Sequence, residues 1–140
     1  MNFVPVMLVL AALTNQSEPT DYRTAFDRAM KGDKPLLVLV TADWCPPCQK
    51  MKQTTIPSLI SDDQFRNFNF ATVDLDRDTI DARNLIGNGT VPQLVIFEKQ
   101  NGIWQQRRLL GYKSPDTVKE FLGNTGPVLT AKNQALTSGQ

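Results

Sequence analysis

Trp44-Cys45-Pro46-Pro47-Cys48 holds both cysteines of the chain, with two prolines between them. Two intervening residues bring the sulfurs within disulfide reach across the first turn of a helix. The segment also stands where an apolar run, Leu36 to Val40, gives way to residues that can continue as helix. Cys45 then falls at a helix N-terminus, where unsatisfied N–H groups and the helix dipole favour a thiolate over a thiol. That predicts Cys45 as a nucleophile. Cys48, one turn further in, is predicted to be more buried and less ionised, which suits it to resolve the mixed disulfide that Cys45 forms with a substrate. Pro46 and Pro47 occupy first-turn positions, where a missing N–H is harmless, and they stiffen the turn between the sulfurs.

Three other readings of the pair stand beside this one. Zinc needs four ligands, and the chain offers one pair of cysteines and no histidine, so two chains would have to share the site. An inert structural disulfide closing so short a loop restrains little of the unfolded chain. Coincidence is the third, and the context weighs against it, because the pair follows a strand, opens a helix and sits in an alternating strand-helix-strand pattern. The absence of histidine also removes the commonest general base and pH switch, so any catalysis has to use other groups.

The elements that must position the pair read as one α/β domain, residues 18–123. Pro19-Thr20-Asp21 signals a helix start, and Tyr22, Ala25, Phe26, Ala29 and Met30 recur at helical spacing before Gly32. Leu36 to Val40 is too short for a buried helix and fits a central strand covered on both faces. Gln49 to Thr55 continues the helix after Cys48 until Pro57 kinks it, and Ser61 to Asn67 reads as a second helical segment anchored by Phe65. Phe68 to Leu75 is a strand parallel to the first, since a helix intervenes. Asp78 is placed to cap a short helix carrying Ile80, Leu85 and Ile86, closed by Gly87. Gln93 to Glu98 and Ile103 to Leu110 form a hairpin about Asn101-Gly102. Ser114-Pro115 opens a last helix with Val118, Phe121 and Leu122 inward, ended by Gly123.

The two ends of the 140-residue chain differ from this domain. Residues 1–17 carry no ionisable side chain, and Phe3 to Leu13 is apolar apart from Pro5. The run is shorter than the roughly 20 residues of a membrane-spanning helix and fits the core of a secretory signal peptide. Residues 124–140 hold no aromatic residue and read as a disordered tail. With 15 basic and 14 acidic residues spread along the chain, the net charge of +1 supplies no field for nucleic acid or an anionic membrane surface.

The segment from Ala42 to Met51 resembles the active-site segment of the thioredoxin superfamily. Thr90-Val91-Pro92 is similar to the stretch where that family carries a cis-proline, and Gly111-Tyr112 with the last helix resembles its closing strand and helix. The resemblance covers Thr20 to Gly123, and Cys48 to Thr55 is most similar to the bacterial envelope branch that includes the C-terminal domain of transmembrane disulfide reductases. It implies the thioredoxin fold, a central mixed sheet of four to five strands with helices on both faces. It further implies that Cys45 attacks, Cys48 resolves, Trp44 shields the site and Pro92 faces the sulfurs in a cis peptide. Trp44, Pro46, Pro47, Val91 and Pro92 then meet the substrate, the Val91 peptide offering backbone hydrogen bonds to an extended cysteinyl segment.

One departure from the family matters. Thioredoxins proper carry a buried aspartate in the strand before the cysteines, where this chain has Leu39, and an accompanying lysine is matched by Thr72. Asp43 and Glu98 are the remaining candidates to exchange a proton with Cys48. The expected activity is a thiol-disulfide oxidoreductase acting on cysteine-containing protein substrates, with a membrane or soluble thiol as electron donor. No metal, cofactor or nucleic acid is expected, and the mature chain is expected to be monomeric, exported to the periplasm and not inserted in a membrane. A thiol oxidase or isomerase of the same fold and a redox-inactive peptide-binding module are the alternatives.

Overall fold

The computed structural model describes residues 19–87 and 89–124. The expected signal peptide lies outside the described residues, and so does the expected tail beyond Asn124. Helix α1 (Tyr22–Lys31) leads to strand β1 (Leu36–Thr41), and a helical run follows: α2 (Pro46–Lys50), a π-helical segment (Met51–Thr55) and α3 (Ile56–Ser61). Strand β2 (Asn69–Asp74), helix α4 (Thr79–Ile86), the hairpin β3 (Gln93–Gln100) and β4 (Ile103–Leu110), and helix α5 (Pro115–Gly123) complete it.

The sheet order is β2-β1-β3-β4, with β1 parallel to β2 and both other pairings antiparallel. Every residue of β1 is buried, as its uninterrupted apolar run predicts for a central strand with helices on both faces. Alternation along the strands divides the core. Leu37, Leu39, Phe70, Leu94 and Ile96 pack with Met51, Leu59, Phe65 and α5 on one face, while Leu36, Val38, Val40, Ala71, Val73 and Val95 meet Ala25, Ala29, Ala82 and Leu85 on the other. The hairpin turns at Asn101 (φ 53°) and Gly102 (φ 79°), both left-handed as a two-residue turn of this kind requires.

Two expectations are corrected, for Ser61 to Asn67 and for Asp78. Ser61 to Asn67 is not a helix: α3 ends at Ser61 in a Schellman closure, with the Asp63 N–H on the Ile60 carbonyl and the Gln64 N–H on the Leu59 carbonyl. Asp63 takes the left-handed position (φ 56°), and the chain then turns so that Phe65 drops fully into the core. The helical run is irregular ahead of Pro57. Pro57 has no N–H to donate, and at the residue before it the pattern slips, the Ile56 N–H reaching back five residues to the Met51 carbonyl. Asp78 precedes α4 without capping it, because its carboxylate accepts from the Asp74 N–H instead (3.1 Å). On α1 only Ala25 and Ala29 are buried, since small side chains allow the close approach to the sheet; Phe26 and Met30 remain exposed and line, with Leu36, Phe97 and Trp104, an apolar groove of about 230 Å³.

Candidate active site

The site forms where the parallel strands end. β1 leaves the sheet at Thr41, and the Cys45 N–H donates to the Ala42 carbonyl (3.3 Å), a tight turn that delivers Cys45 to the start of the helical run. Cys45 is extended (φ −98°, ψ 107°) and its carbonyl accepts from the Gln49 N–H (3.1 Å), so it is the N-cap of α2, with Pro46 and Pro47 in the first turn. Its side chain behaves as a cap. The Cys45 Sγ accepts from the Cys48 N–H at 3.3 Å, where a serine or aspartate oxygen ordinarily sits.

Cys45 and Cys48 are joined in a disulfide, with their Cα atoms 5.2 Å apart. Both are buried, Cys45 to 4% and Cys48 to 0% exposure, in a small cluster with Ala42 against which Leu75 and Val91 pack. The Cys45 Sγ lies 3.7 Å from the Val91 carbonyl oxygen. The Val91-Pro92 bond is cis, and the Pro92 carbonyl accepts from the Gly111 N–H (2.8 Å), tying the loop to the end of β4. The structure therefore brings Cys45, Cys48 and Val91 together, with Pro92 following at the start of β3. Pro46 and Pro47 are exposed on the outer side of the turn. Trp44 is 64% exposed, its indole N–H donating to Asp76 Oδ1 (3.3 Å) across the mouth of the site.

Neither candidate proton acceptor stands where it is needed. Glu98 is six residues along β3 from Pro92, on the order of 20 Å at the usual rise per residue, and is ion-paired with Arg107 (2.9 Å). Asp43 is closer in sequence but faces solvent, held by Arg77 (2.8 Å) and Lys52 (3.5 Å). The Arg77 hydrogen bond holds its carboxyl below the ordinary value, so it is a poor base for a thiol. Leu39, at the family's acid position, is an ordinary core residue against Met51, and Thr72 is half-buried.

Sequence reasoning passed over three residues. Asp74 ends β2 and folds its carboxylate under the next turn, with Oδ1 accepting from the N–H groups of Asp76 (2.9 Å) and Arg77 (3.3 Å). Its register partner Thr41 is likewise buried. Gly89 runs against Gln93, with the Gly89 N–H on the Ile86 carbonyl (2.9 Å). The dense Asp74-Leu75-Asp76-Arg77-Asp78 run was the available signal for the first; nothing local marked the others.

A cysteine pair closed into a disulfide at a strand-to-helix junction of a four-stranded α/β sheet defines a thiol-disulfide oxidoreductase. A family profile described as thioredoxin-like matches residues 14–99, and the chain belongs to that thioredoxin-like family. No curated protein matches it in sequence. Among solved structures it is similar to a thioredoxin from Thermus thermophilus, 24% identical with a TM-score of 0.59, covering 73% of this chain and 81% of that one. Trxlp from Edwardsiella tarda EIB202 is 28% identical with a TM-score of 0.58, covering 74% and 95%. A Trypanosoma brucei brucei thioredoxin is 20% identical with a TM-score of 0.58, covering 79% and 92%.

Proposed function

We propose that this chain is an exported thiol-disulfide reductase of the bacterial envelope type, in which Cys45 attacks and Cys48 resolves. The observation that carries the assignment of roles is the contact of the Cys48 N–H with the Cys45 Sγ (3.3 Å). A donor fixed on one sulfur stabilises negative charge there and not on its partner. In the reduced protein the Cys45 thiolate attacks one sulfur of a substrate disulfide and expels the other half as a thiolate. Cys48 then attacks the Cys45 Sγ, the enzyme disulfide forms, and the second substrate thiolate leaves. Two electrons pass from the protein dithiol to the substrate.

The substrate is a cysteine-containing protein. An extended cysteinyl segment would lie across Trp44 and beside Val91, using Val91 backbone groups and asking for no particular side chain, with Pro46, Pro47 and Pro92 shaping the approach. A membrane or soluble thiol returns the electrons. Export rests on the uncharged, apolar stretch from Phe3 to Leu13.

The reading is tested by insulin reduction. Cys45→Ser should abolish it, and retained activity refutes the assignment. Cys48→Ser should instead accumulate mixed disulfides through Cys45 and identify the natural substrates. Equilibration with glutathione decides the direction, each tenfold in the exchange constant corresponding to about 30 mV; a couple well on the oxidising side favours a thiol oxidase.

A further inference from the structure

We infer that Arg108 is a positioning residue for substrate binding: its guanidinium clips the end of α4 to the start of β3 and so holds the Val91 backbone beside Cys45. The inference rests on the reading of Val91 as the backbone that receives the substrate segment, and it adds the group that keeps that backbone in place. Arg108 lies half-buried on β4, far from the cysteines in sequence. Its Nη1 donates both to the Leu85 carbonyl and to Gln93 Oε1 (3.0 Å). With its amide oxygen turned toward the guanidinium, Gln106 accepts from Nε (3.1 Å) and Nη2 (3.0 Å). A guanidinium presents its donors in a rigid planar fork, so acceptors on several sides leave it one orientation.

Both acceptors of Nη1 belong to residues that frame the connection carrying Val91. Leu85 sits in the last turn of α4, where carbonyls lack intrahelical partners and a cation is favoured. Gln93 opens β3, follows Pro92 directly and is fully buried. Register sets the three together, because Arg108 stands opposite Val95, Gln93 lies on the same face of β3 as Val95, and Leu85 packs with Val95 there. Val91 packs against that same cluster and against the cysteines, its carbonyl oxygen 3.7 Å from Cys45 Sγ. The clip therefore grips the chain immediately after the Val91-Pro92 step.

The choice of partners argues that the place of Arg108 is set by what it holds. A desolvated cation ordinarily takes a carboxylate, as the adjacent Arg107 does with Glu98. The acceptors of Arg108 are all neutral oxygens, and burial pulls its guanidinium below the ordinary arginine value. Two further bonds hold the connection, from the Gly111 N–H to the Pro92 carbonyl (2.8 Å) and from the Gly89 N–H to the Ile86 carbonyl (2.9 Å). Both are neutral. A charge-assisted bond is roughly twice as strong as a neutral one, so among these ties the two from Arg108 are the stronger.

Two substrates separate positioning from stability. Insulin reduction, with dithiothreitol as electron donor, is compared with the stopped-flow reaction of the pre-reduced full chain with dithiobis(nitrobenzoic acid). The small disulfide needs only the Cys45 thiolate, which the Cys48 N–H stabilises without Arg108; insulin needs the Val91 backbone as well. Arg108→Met should raise KM for insulin about tenfold, the worth of one net backbone hydrogen bond, and leave kcat and the small-disulfide rate unchanged. Gln93→Leu, which removes only the acceptor beside Pro92, should reproduce the rise. Arg108→Lys, whose ammonium can serve one of the two acceptors, should restore part of it. Urea unfolding of each variant shows whether the domain is folded in the assay, and if Arg108→Met is not, Gln93→Leu decides. An unchanged insulin KM in the folded variants overturns the inference, and so does a parallel loss with both disulfides, which leaves Arg108 a role in stability alone. Failure of the unsubstituted protein to reduce insulin overturns the proposed function instead, and this inference with it.

Discussion

The Cys48 N–H points at the Sγ of Cys45 from 3.3 Å, so a sulfur occupies the position of a helix-capping oxygen. The geometry is asymmetric, since Cys48 lies inside the first turn and is fully buried. In the reduced protein Cys45 should therefore ionise below the ordinary thiol value of about 8.5, and Cys48 should not. Alkylation by iodoacetamide, followed by peptide mass across a pH series, measures each thiol. A Cys45 midpoint at or above that value contradicts the prediction.

Two positions before Cys45, the Asp43 carboxylate bonds the Arg77 guanidinium at 2.8 Å, and that hydrogen bond is the main reason its carboxyl titrates below the ordinary 3.8. A depressed folded value means that the pair contributes stability above the unfolded value, near pH 4, and loses it as the pH falls through the folded value. Both side chains are largely exposed, so the contribution is small and falls with salt. Carbon-detected NMR titration should place Asp43 below 3.8 in the parent and nearer to it in Arg77→Ala. Identical midpoints in the two proteins would leave the pair without electrostatic effect.

At the other end of the sheet, Arg107 carries a heavier role. Its guanidinium bonds Glu98 (2.9 Å) and the Phe121 carbonyl (2.7 Å), and both charged side chains are at most 14% exposed. Removing one member strands the other, so Arg107→Ala should cost about 3–5 kcal/mol in urea unfolding. The paired change Glu98→Gln with Arg107→Met, which strands no charge, should cost clearly less. Equal losses from the single and paired changes would show that the hydrogen bonds of the Arg107 guanidinium, absent from both, and not a stranded Glu98 charge, account for the cost.

The cysteines and their setting were legible because they rest on short-range signals: an apolar run with no polar break, two prolines suited to a first turn, an Asn-Gly hairpin. Asp21, Ser114 and Gly87 close their helices as placed, since capping is decided within a few residues. What escaped notice depended on which of several available partners a group takes once the chain is folded. Asp78 has the sequence of a cap, but the Asp74 N–H claims its carboxylate. Ser61 to Asn67 carries helix-compatible residues, yet burying Phe65 requires a chain reversal first. Glu98 looked accessible until Arg107 and Phe121 were folded around it, and the pairing of Thr41 with Asp74 exists only once β1 and β2 are set in register.

Gly89 gives the last prediction, on the loop that carries Val91 to the cysteines. A Cβ at this position would overlap the side-chain amide nitrogen of Gln93 and stand 3.0 Å from the Ile86 carbonyl oxygen. Gln93 is fully buried and its amide oxygen is held by Arg108 (3.0 Å), so the amide has little room to retreat. Gly89→Ala should therefore destabilise the protein by about 1–3 kcal/mol, the usual cost of overpacking. Because the loop can shift to relieve the overlap, it should also displace the Val91 carbonyl from its 3.7 Å approach to Cys45 and slow insulin reduction. Shortening the neighbour separates the two effects: in a Gln93→Ser background the added methyl meets less resistance, and the stability change on Gly89→Ala should shrink. A cost that is the same in both backgrounds would place the strain on the Ile86 carbonyl, and the slowing of activity should then persist in the double variant.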